Sequence, residues 1–349
     1  MNQNAAPTLR VSNLRVTYYT DAGRVTAVNE VSFALAPGER LGLVGESGCG
    51  KSTLALALMR MIKPPGRIES GSAIVRTDKG EVDLFALDEE DMRRARLSVI
   101  SYIPQGAMNA LNPVLRVGQQ MIDALQAHVP EMSYQAMRER AEQALESVEL
   151  KRSVFNLYPH ELSGGMKQRV CIAIGILLSP RVIIADEPTS ALDVVVQRQV
   201  METICKVQAQ IGASLILIGH DMGLMAQVMH RVAVMYAGRL VEVSPVRALF
   251  TRPLHPYTQA LIQSLPRLDN RGVFRGLPGL APSLLRLPSG CAFHPRCAQA
   301  MAVCAQVVPK PITTADGRFV ACHLHDSVDS DLTPAPVLQE QSHANAPAA

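Results

Sequence analysis

The sequence predicts an α/β protein built on a parallel sheet with helices on its faces. Three apolar runs of strand length support this prediction: residues 40–44, 181–186 and 214–219. The first run leads through a glycine-rich loop into the helical pattern of residues 54–59. Because the carboxyl ends of strands in an open parallel sheet line a ligand crevice, polar residues that follow these runs are the candidates for function.

The loop after the first strand reads Gly-Glu-Ser-Gly-Cys-Gly-Lys-Ser-Thr over residues 45–53, the pattern of a phosphate-binding loop. Its glycines let consecutive backbone N–H groups surround a polyphosphate, and the positive end of the following helix faces the same charge. We expect Lys51 to reach the β- and γ-phosphates of a nucleoside triphosphate and the Ser52 hydroxyl to ligate Mg²⁺. A chance glycine-rich turn is the alternative, and the flanking strand and helix argue against it. The predicted nucleotide contacts in the loop are Gly45, Ser47, Gly48, Cys49, Gly50, Lys51, Ser52 and Thr53.

Length and composition limit the possible functions. The chain has 349 residues, enough for one large α/β domain and a smaller appendage. Its net charge of +3 and its aromatic content of 4%, without tryptophan, argue against binding to nucleic acid. The best apolar run, residues 170–178, is shorter than the about 18 to 20 residues that span a bilayer. The N-terminus lacks the pattern of a signal peptide, so we expect a cytoplasmic location in which the seven cysteines stay reduced.

The N-terminal segment predicts a second layer. Apolar and polar residues alternate in 8–16 and 27–33, which indicates an antiparallel β-layer ahead of the first parallel strand. Tyr18 lies shortly before the phosphate loop, where its ring could stack on an adenine. An ordinary strand aromatic is the alternative, which spacing alone favours, and Tyr19 is a weaker candidate.

Four polar residues stand at or just after the ends of predicted strands. Asp186 suits an indirect Mg²⁺ ligand, and Glu187 suits a general base that polarises the water attacking a γ-phosphate. Gln105 could hold a Mg²⁺-bound or attacking water, and His220 could sense the γ-phosphate. Taken singly, the two acids could cap a strand and the histidine could be structural. Their common position after strands favours the functional interpretation.

A second anion site is predicted where Ser163, Gly164 and Gly165 precede an apolar helix. The serine hydroxyl, the close backbone approach and the unpaired N–H groups of a helix start all favour a bound anion. One nucleotide does not need two such sites in one chain.

The phosphate loop, the Ser-Gly-Gly sequence, the Asp-Glu pair and the histidine occur in an order that resembles the ATP-binding subunit of ABC transporters, over about residues 8–325. In that family two cassettes dimerise head to tail, so the resemblance implies that the second anion site clamps the nucleotide of the partner. ATP would close the dimer and hydrolysis would open it. Met166 departs from the commonest signature, which has Gln, and Gly106-Ala107 departs from the usual acidic-Pro pair. The resemblance assigns Tyr18 to adenine stacking, Gln105 to the Q-loop, Ser163–Gly165 to the signature motif, Asp186 and Glu187 to Walker B and catalysis, Asp193 to the D-loop and His220 to the switch.

The C-terminal third resembles the extension of ATPases from the oligopeptide/dipeptide/nickel importer family. The resemblance rests on the His-Pro-Tyr sequence at His255 and on four spaced cysteines. Five, six and seventeen residues separate these cysteines, whereas zinc sites prefer closely paired ligands. The family resemblance implies a [4Fe–4S] cluster, and a group of reduced structural thiols is the alternative. The four residues are Cys291, Cys297, Cys304 and Cys322.

These observations predict a nucleotide-binding domain at 8–250 with a helical subdomain at about 106–178, a C-terminal extension at 251–325 and a disordered tail at 326–349. The resemblance implies ATP and Mg²⁺ as ligands. It also implies two integral-membrane permease subunits, a second ATP-binding subunit that is a paralogue, and an extracytoplasmic solute-binding protein reached through the permeases. The chain would lie peripherally on the cytoplasmic face of the inner membrane.

The expected activity is ATP hydrolysis that energises the import of dipeptides or oligopeptides. Nickel or another solute is the alternative within the family. A soluble ABC ATPase outside transport is a rival, although the chain has one phosphate loop and no heptad run. A redox sensor on a degenerate ATPase is a second rival, which intact Lys51 and Glu187 disfavour.

Overall fold

The structure is a computed structural model that describes residues 6–106, 110–190, 192–265 and 279–326. Two sheets and a helical layer make up this part of the chain. Apart from Asp326, the predicted tail lies outside the described residues, and so do residues 272–278 of the linker that the sequence predicts at 272–288. In chain order the strands and α-helices are β1 (Leu9–Thr20), β2 (Gly23–Leu35), β3 (Arg40–Val44), α1 (Lys51–Leu58), β4 (Gly66–Thr77), β5 (Gly80–Asp83), α2 (Glu89–Ser98), β6 (Ile100–Ile103), α3 (Val117–His128), α4 (Tyr134–Ser147), α5 (Gly164–Gly175), β7 (Val182–Asp186), α6 (Val194–Ile211), β8 (Ser214–Ile218), α7 (Met222–Val228), β9 (Arg231–Tyr236), β10 (Arg239–Pro245), α8 (Val246–Thr251), α9 (Pro256–Gln263), β11 (Ile312–Thr313) and β12 (Phe319–Val320).

The larger sheet has eight strands in the order β11-β12-β10-β9-β3-β8-β7-β6. Its five strands from β9 to β6 are parallel, and β10, β12 and β11 add an antiparallel edge. Strands β7 and β8 are buried at every residue, which explains why they read as continuous apolar runs instead of alternating ones. The parallel arrangement sets the ends of β3, β6, β7 and β8 along one edge of the sheet.

The smaller sheet is antiparallel, with the order β2-β1-β4-β5. Leu9, Val11, Leu14 and Val16 of β1 are fully buried, and irregularities in the strand pairing accommodate the change in spacing between Val11 and Leu14. This face packs against β3 and α1 in one apolar cluster. The predicted α/β fold with an N-terminal antiparallel layer is therefore confirmed.

A helical layer covers the other side of the sheet. Helices α3, α4 and α5 turn apolar residues at helical spacing toward a common cluster that also contains β7 and β8 side chains. Among the described residues, no helix combines the length and the apolar character needed to cross a membrane.

The C-terminal region attaches to the edge of the larger sheet. Val320 of β12 lies opposite Glu242 of β10, so two very short strands extend the core sheet. The carboxylate of Glu242 is fully buried and accepts the backbone N–H groups of Leu254 at 3.1 Å and His255 at 2.9 Å. This contact fixes the start of α9, where the Nδ1 atom of His255 accepts the N–H of Tyr257 at 3.0 Å as a helix cap.

Candidate nucleotide-binding site

The phosphate loop connects β3 to α1, as predicted. Gly45, Gly48 and Gly50 all have positive φ, at +153°, +77° and +109°. A Cβ on Gly45 would collide with the carbonyl oxygen of Met235, and one on Gly50 would collide with backbone as well. The loop therefore follows a path that other residues cannot take without strain.

Lys51 lies across this loop. Its buried ammonium group donates to the carbonyl oxygens of Gly45 at 2.8 Å and Glu46 at 2.9 Å. The positive charge is thus held inside the curve of the loop by groups that a phosphate oxygen can replace. The arrangement provides backbone donors, a cation and a helix N-terminus in one place, which suits a polyphosphate.

The end of β7 provides an oxygen site. Asp186 is 1% exposed, and its Oδ2 atom accepts the hydroxyl of Tyr102 at 3.0 Å. Burial raises the pKa of Asp186, while hydrogen bonds from Ser52 and Tyr102 lower it. Its Oδ1 atom is buried and has no hydrogen-bond partner among the described residues. A carboxylate oxygen left without a partner near the Ser52 hydroxyl fits Mg²⁺, which binds few protein oxygens and keeps several waters.

Glu187, Gln105 and His220 come together next to Asp186. The Oε2 atom of Glu187 accepts from the amide of Gln105 at 2.8 Å, and its Oε1 atom lies 3.7 Å from Nδ1 of His220. Glu187 has φ of +43°, a strained conformation for a residue with a side chain. The strand ends thus assemble three predicted residues from separate parts of the sequence, in an arrangement suited to orienting a water molecule.

Ser163, Gly164 and Gly165 line a different cavity, of about 470 Å³, together with Asp193. Ser163 caps α5 by accepting the N–H of Met166 at 3.3 Å, as a helix-start serine does. Within the described ranges, no residue of the phosphate loop contributes to the lining of this cavity. The two predicted anion sites of this chain therefore line separate cavities.

Tyr18 is the predicted contact that the structure does not bring to the phosphate loop. A cavity of about 380 Å³ beside Glu46, Ser47, Gly48 and Cys49 is lined by Val25, the cross-strand neighbour of Tyr18, and not by Tyr18. The Tyr18 ring packs near Gly66. Its stacking role stays a prediction. Residues 281–285 close the other side of the cavity, although the sequence predicted a linker there.

Sequence reasoning missed several residues at this site. Tyr102 orients Asp186, and the side chains of Tyr257 and Arg296 hold Glu46 of the phosphate loop. Tyr102 lies in the strand that ends just before Gln105, and this position in the sequence could have indicated that its side chain lies near the site. Nothing local to Tyr257 or Arg296 indicates the loop, because 211 and 250 residues separate them from Glu46.

The four C-terminal cysteines lie near one another. Burial raises the pKa of Cys291, and the neighbouring Cys304 and Cys297 raise it further. Burial also raises the pKa of Cys322 to about 11, with smaller contributions from the other three thiols. All seven cysteines lie in the described part of the chain, and none of them forms a disulfide bond there. The described ranges contain no group of three or more His, Cys, Asp or Glu that could hold a metal ion, so this geometry gives no support to the predicted [4Fe–4S] cluster.

The loop on β3, the acids on β7 and the separate serine-glycine site define an ATPase cassette of the ABC type. Comparison with known families agrees: residues 28–190 match the family described as ABC transporter, and residues 241–304 match the oligopeptide/dipeptide transporter C-terminal region. The chain belongs to the ABC transporter family, in the branch whose ATPases carry this C-terminal region.

Individual relatives cover most of the chain. The oligopeptide transport ATP-binding protein OppD of Salmonella typhimurium is 44% identical over 323 residues, which cover 92% of this chain and 94% of the relative. The dipeptide transport ATP-binding protein DppD of Caldanaerobacter subterraneus subsp. tengcongensis is 40% identical over 320 residues, 91% and 97% of the two chains. Among solved structures, the dimeric bacterial ABC transporter cassette MJ0796 matches with a TM-score of 0.60 and 25% identity, over 68% of this chain and 99% of that one.

Proposed function

We propose that this chain binds and hydrolyses ATP to energise a peptide importer. The observation that carries the proposal is the convergence of Gln105, Asp186, Glu187 and His220 at the ends of parallel strands beside the phosphate loop. These residues supply, in one place, an oxygen site for Mg²⁺ and a carboxylate that can orient water.

Each residue has a distinct role in the proposed reaction. Lys51 exchanges its loop carbonyls for phosphate oxygens, and Ser52 and Asp186 hold Mg²⁺. When bound, Mg²⁺ neutralises charge on the phosphates. Glu187 accepts a hydrogen bond from the attacking water, and Gln105 fixes its carboxylate from the opposite side. His220 is largely exposed and 3.7 Å from Glu187, so it is free to contact the terminal phosphate.

The second anion site supports a paired arrangement. Because Ser163, Gly164 and Gly165 face their own cavity, they are available to a nucleotide held by another cassette. ATP between two cassettes would stabilise the closed pair, and loss of the terminal phosphate would let it open. The solved cassette with the same fold is described as dimeric, which supports this arrangement. The second subunit is a paralogue in this proposal.

The transported solute is a dipeptide or oligopeptide. This part rests on the names of the relatives, which are oligopeptide and dipeptide transport proteins, and on the matching C-terminal region. Two integral-membrane permeases and an extracytoplasmic solute-binding protein would complete the importer. The chain would lie peripherally on the cytoplasmic face of the inner membrane, bound through the permeases.

Substitution Glu187→Gln tests the ATPase part of the proposal. It keeps the shape of the side chain and removes the base, so we expect hydrolysis to fall by about 10²- to 10⁴-fold while ATP binding persists. Glu202→Gln, at an exposed position on α6, is the matched control and should keep wild-type turnover. Phosphate release measures turnover, and gel filtration with ATP measures dimers. Normal turnover in Glu187→Gln would remove Glu187 from its role.

Uptake experiments test the solute. In cells that depend on this chain for import, we expect labelled oligopeptide to accumulate with the wild type and not with Glu187→Gln. Nickel uptake that follows the same dependence, without peptide uptake, would replace the peptide assignment by the nickel alternative.

A further inference from the structure

The C-terminal extension contacts the phosphate loop at one residue, Glu46. We propose that Arg296 and Tyr257 of the extension are positioning residues that set the affinity of this loop for ATP. The inference deepens the proposed function, because it rests on ATP binding at residues 45–53. It assigns to the extension a direct part in nucleotide binding.

Arg296 neutralises the only acid of the loop. Its Nη1 atom donates to Oε2 of Glu46 at 2.6 Å and its Nη2 atom donates to Oε1 at 2.9 Å, a two-point pairing of guanidinium and carboxylate. The Arg296 side chain is 6% exposed, so solvent screens the pair weakly. Nη1 also donates to the hydroxyl of Tyr236, at 3.2 Å, which ties the pair to β9.

Tyr257 holds the backbone of the same residue. The N–H of Glu46 donates to the Tyr257 hydroxyl at 2.9 Å. The Tyr257 ring is fully buried, with its centre 4.5 Å from that of Tyr236 and 5.4 Å from that of Phe293. These rings join β9, α9 and the turn before Arg296 directly beneath the loop.

All three polar parts of Glu46 are therefore engaged by different residues. The Tyr257 hydroxyl accepts a hydrogen bond from its N–H, Lys51 donates to its carbonyl oxygen, and Arg296 binds its carboxylate. When a phosphate takes Lys51 away from the carbonyl, the two contacts from the extension remain. They keep the loop in its curved form, so less ordering is needed on binding.

The charges of Arg296 and Glu46 should affect ATP binding in addition to fixing the form of the loop. A carboxylate in a phosphate-binding loop repels the polyphosphate, and Arg296 cancels this repulsion. Removing Arg296 leaves the negative charge of Glu46 near the ligand, whereas removing the charge of Glu46 leaves a positive one. The two substitutions should therefore change ATP affinity in opposite directions. A purely structural salt bridge would make both substitutions weaken binding.

The test uses the full chain and measures ATP affinity by equilibrium titration, together with KM and kcat. We expect Arg296→Met to weaken ATP binding about tenfold and to raise KM, with kcat within about twofold of wild type. Glu46→Gln should bind ATP more tightly than wild type. The double variant should return to within about threefold of wild type. Arg252→Met is the matched control, because Arg252 pairs with Asp316 in the same extension, is largely exposed and lies away from the loop.

Several results would overturn the inference while leaving the ATPase assignment intact. They are wild-type affinity in Arg296→Met, unchanged or weaker binding in Glu46→Gln, and a double variant no better than Arg296→Met. If Arg296→Met does not fold, Tyr257→Phe tests the inference instead, because it removes only the hydroxyl that accepts from Glu46. Weaker ATP binding in Tyr257→Phe supports the inference, and unchanged binding overturns it. A wild-type chain that does not bind ATP would instead refute the proposed function.

Discussion

Tyr102→Phe tests whether the hydroxyl of Tyr102 orients the Mg²⁺ carboxylate. The substitution removes one oxygen, which donates to Oδ2 of Asp186 at 3.0 Å, and leaves the ring in place. Asp186 is 1% exposed and its other oxygen has no partner among the described residues, so water cannot readily replace the lost donor. Hydrogen bonds to buried charged groups contribute about 1.5–3 kcal/mol. We expect the free energy of unfolding to fall by about that amount.

The same substitution should change catalysis in a specific way. The Tyr102 hydroxyl lowers the pKa of Asp186 against the effect of burial, so its removal raises that pKa. The variant should then need a higher pH to ionise Asp186, and the rising part of its pH–rate profile should move to higher pH. Loss of a group that orients a metal ligand typically weakens metal affinity or activity by about 10- to 100-fold. We expect the Mg²⁺ concentration for half-maximal ATPase activity to rise within that range.

Two measurements are needed: denaturant unfolding without nucleotide, and ATPase activity against Mg²⁺ concentration at several pH values. Tyr134→Phe is the control, because Tyr134 is 60% exposed on α4. The reasoning is refuted if Tyr102→Phe unfolds within about 0.5 kcal/mol of wild type and keeps its Mg²⁺ and pH dependence.

Two further predictions concern stability. Gly45→Ala should destabilise the protein without nucleotide more than Gly48→Ala does, because both have positive φ but only Gly45 would collide with Met235. Gly48→Ala should cost about 1–2 kcal/mol, and equal losses in denaturant unfolding would contradict the collision. Burial, and to a lesser extent His325, lowers the pKa of His255 to about 3. Since the unfolded histidine binds a proton below about pH 6.5, stability should be fully present above that pH and fall by up to about 1.4 kcal/mol per unit below it. His255→Asn, which can still cap a helix, should reduce this acid slope, and an unchanged slope would contradict the prediction.

The sequence predicts the parts of this site that local chemistry determines. The glycine pattern of the phosphate loop requires positive φ at Gly45, Gly48 and Gly50, and the structure has it. The parallel sheet aligns the ends of its strands, which is why Gln105 and Glu187 meet although 82 residues separate them. The expectation that parallel strands end along one crevice was thus enough to predict that these two residues lie near each other.

Other contacts follow from packing that no local pattern encodes. Strands β11 and β12 have two residues each, too few to show alternation, yet they extend the core sheet. The Tyr18 ring packs near Gly66, where the small residue leaves room for it, a contact that strand spacing could not reveal. Burial of Asp186 against Tyr102 depends on the register between β6 and β7.

The attachment of the extension decides which experiments can separate its roles. Truncation after α8 would remove Tyr257 and Arg296, but it would also remove β12 from β10 and expose the buried carboxylate of Glu242. Loss of ATP binding in such a truncated chain would therefore not distinguish a damaged sheet from a released loop. Point substitutions do distinguish them, because Glu46→Gln and Arg296→Met change the charge at the loop and leave the sheet edge intact. Opposite effects of these two substitutions on ATP affinity would therefore assign the change to the charge of the Arg296–Glu46 pair and not to damage at the sheet edge.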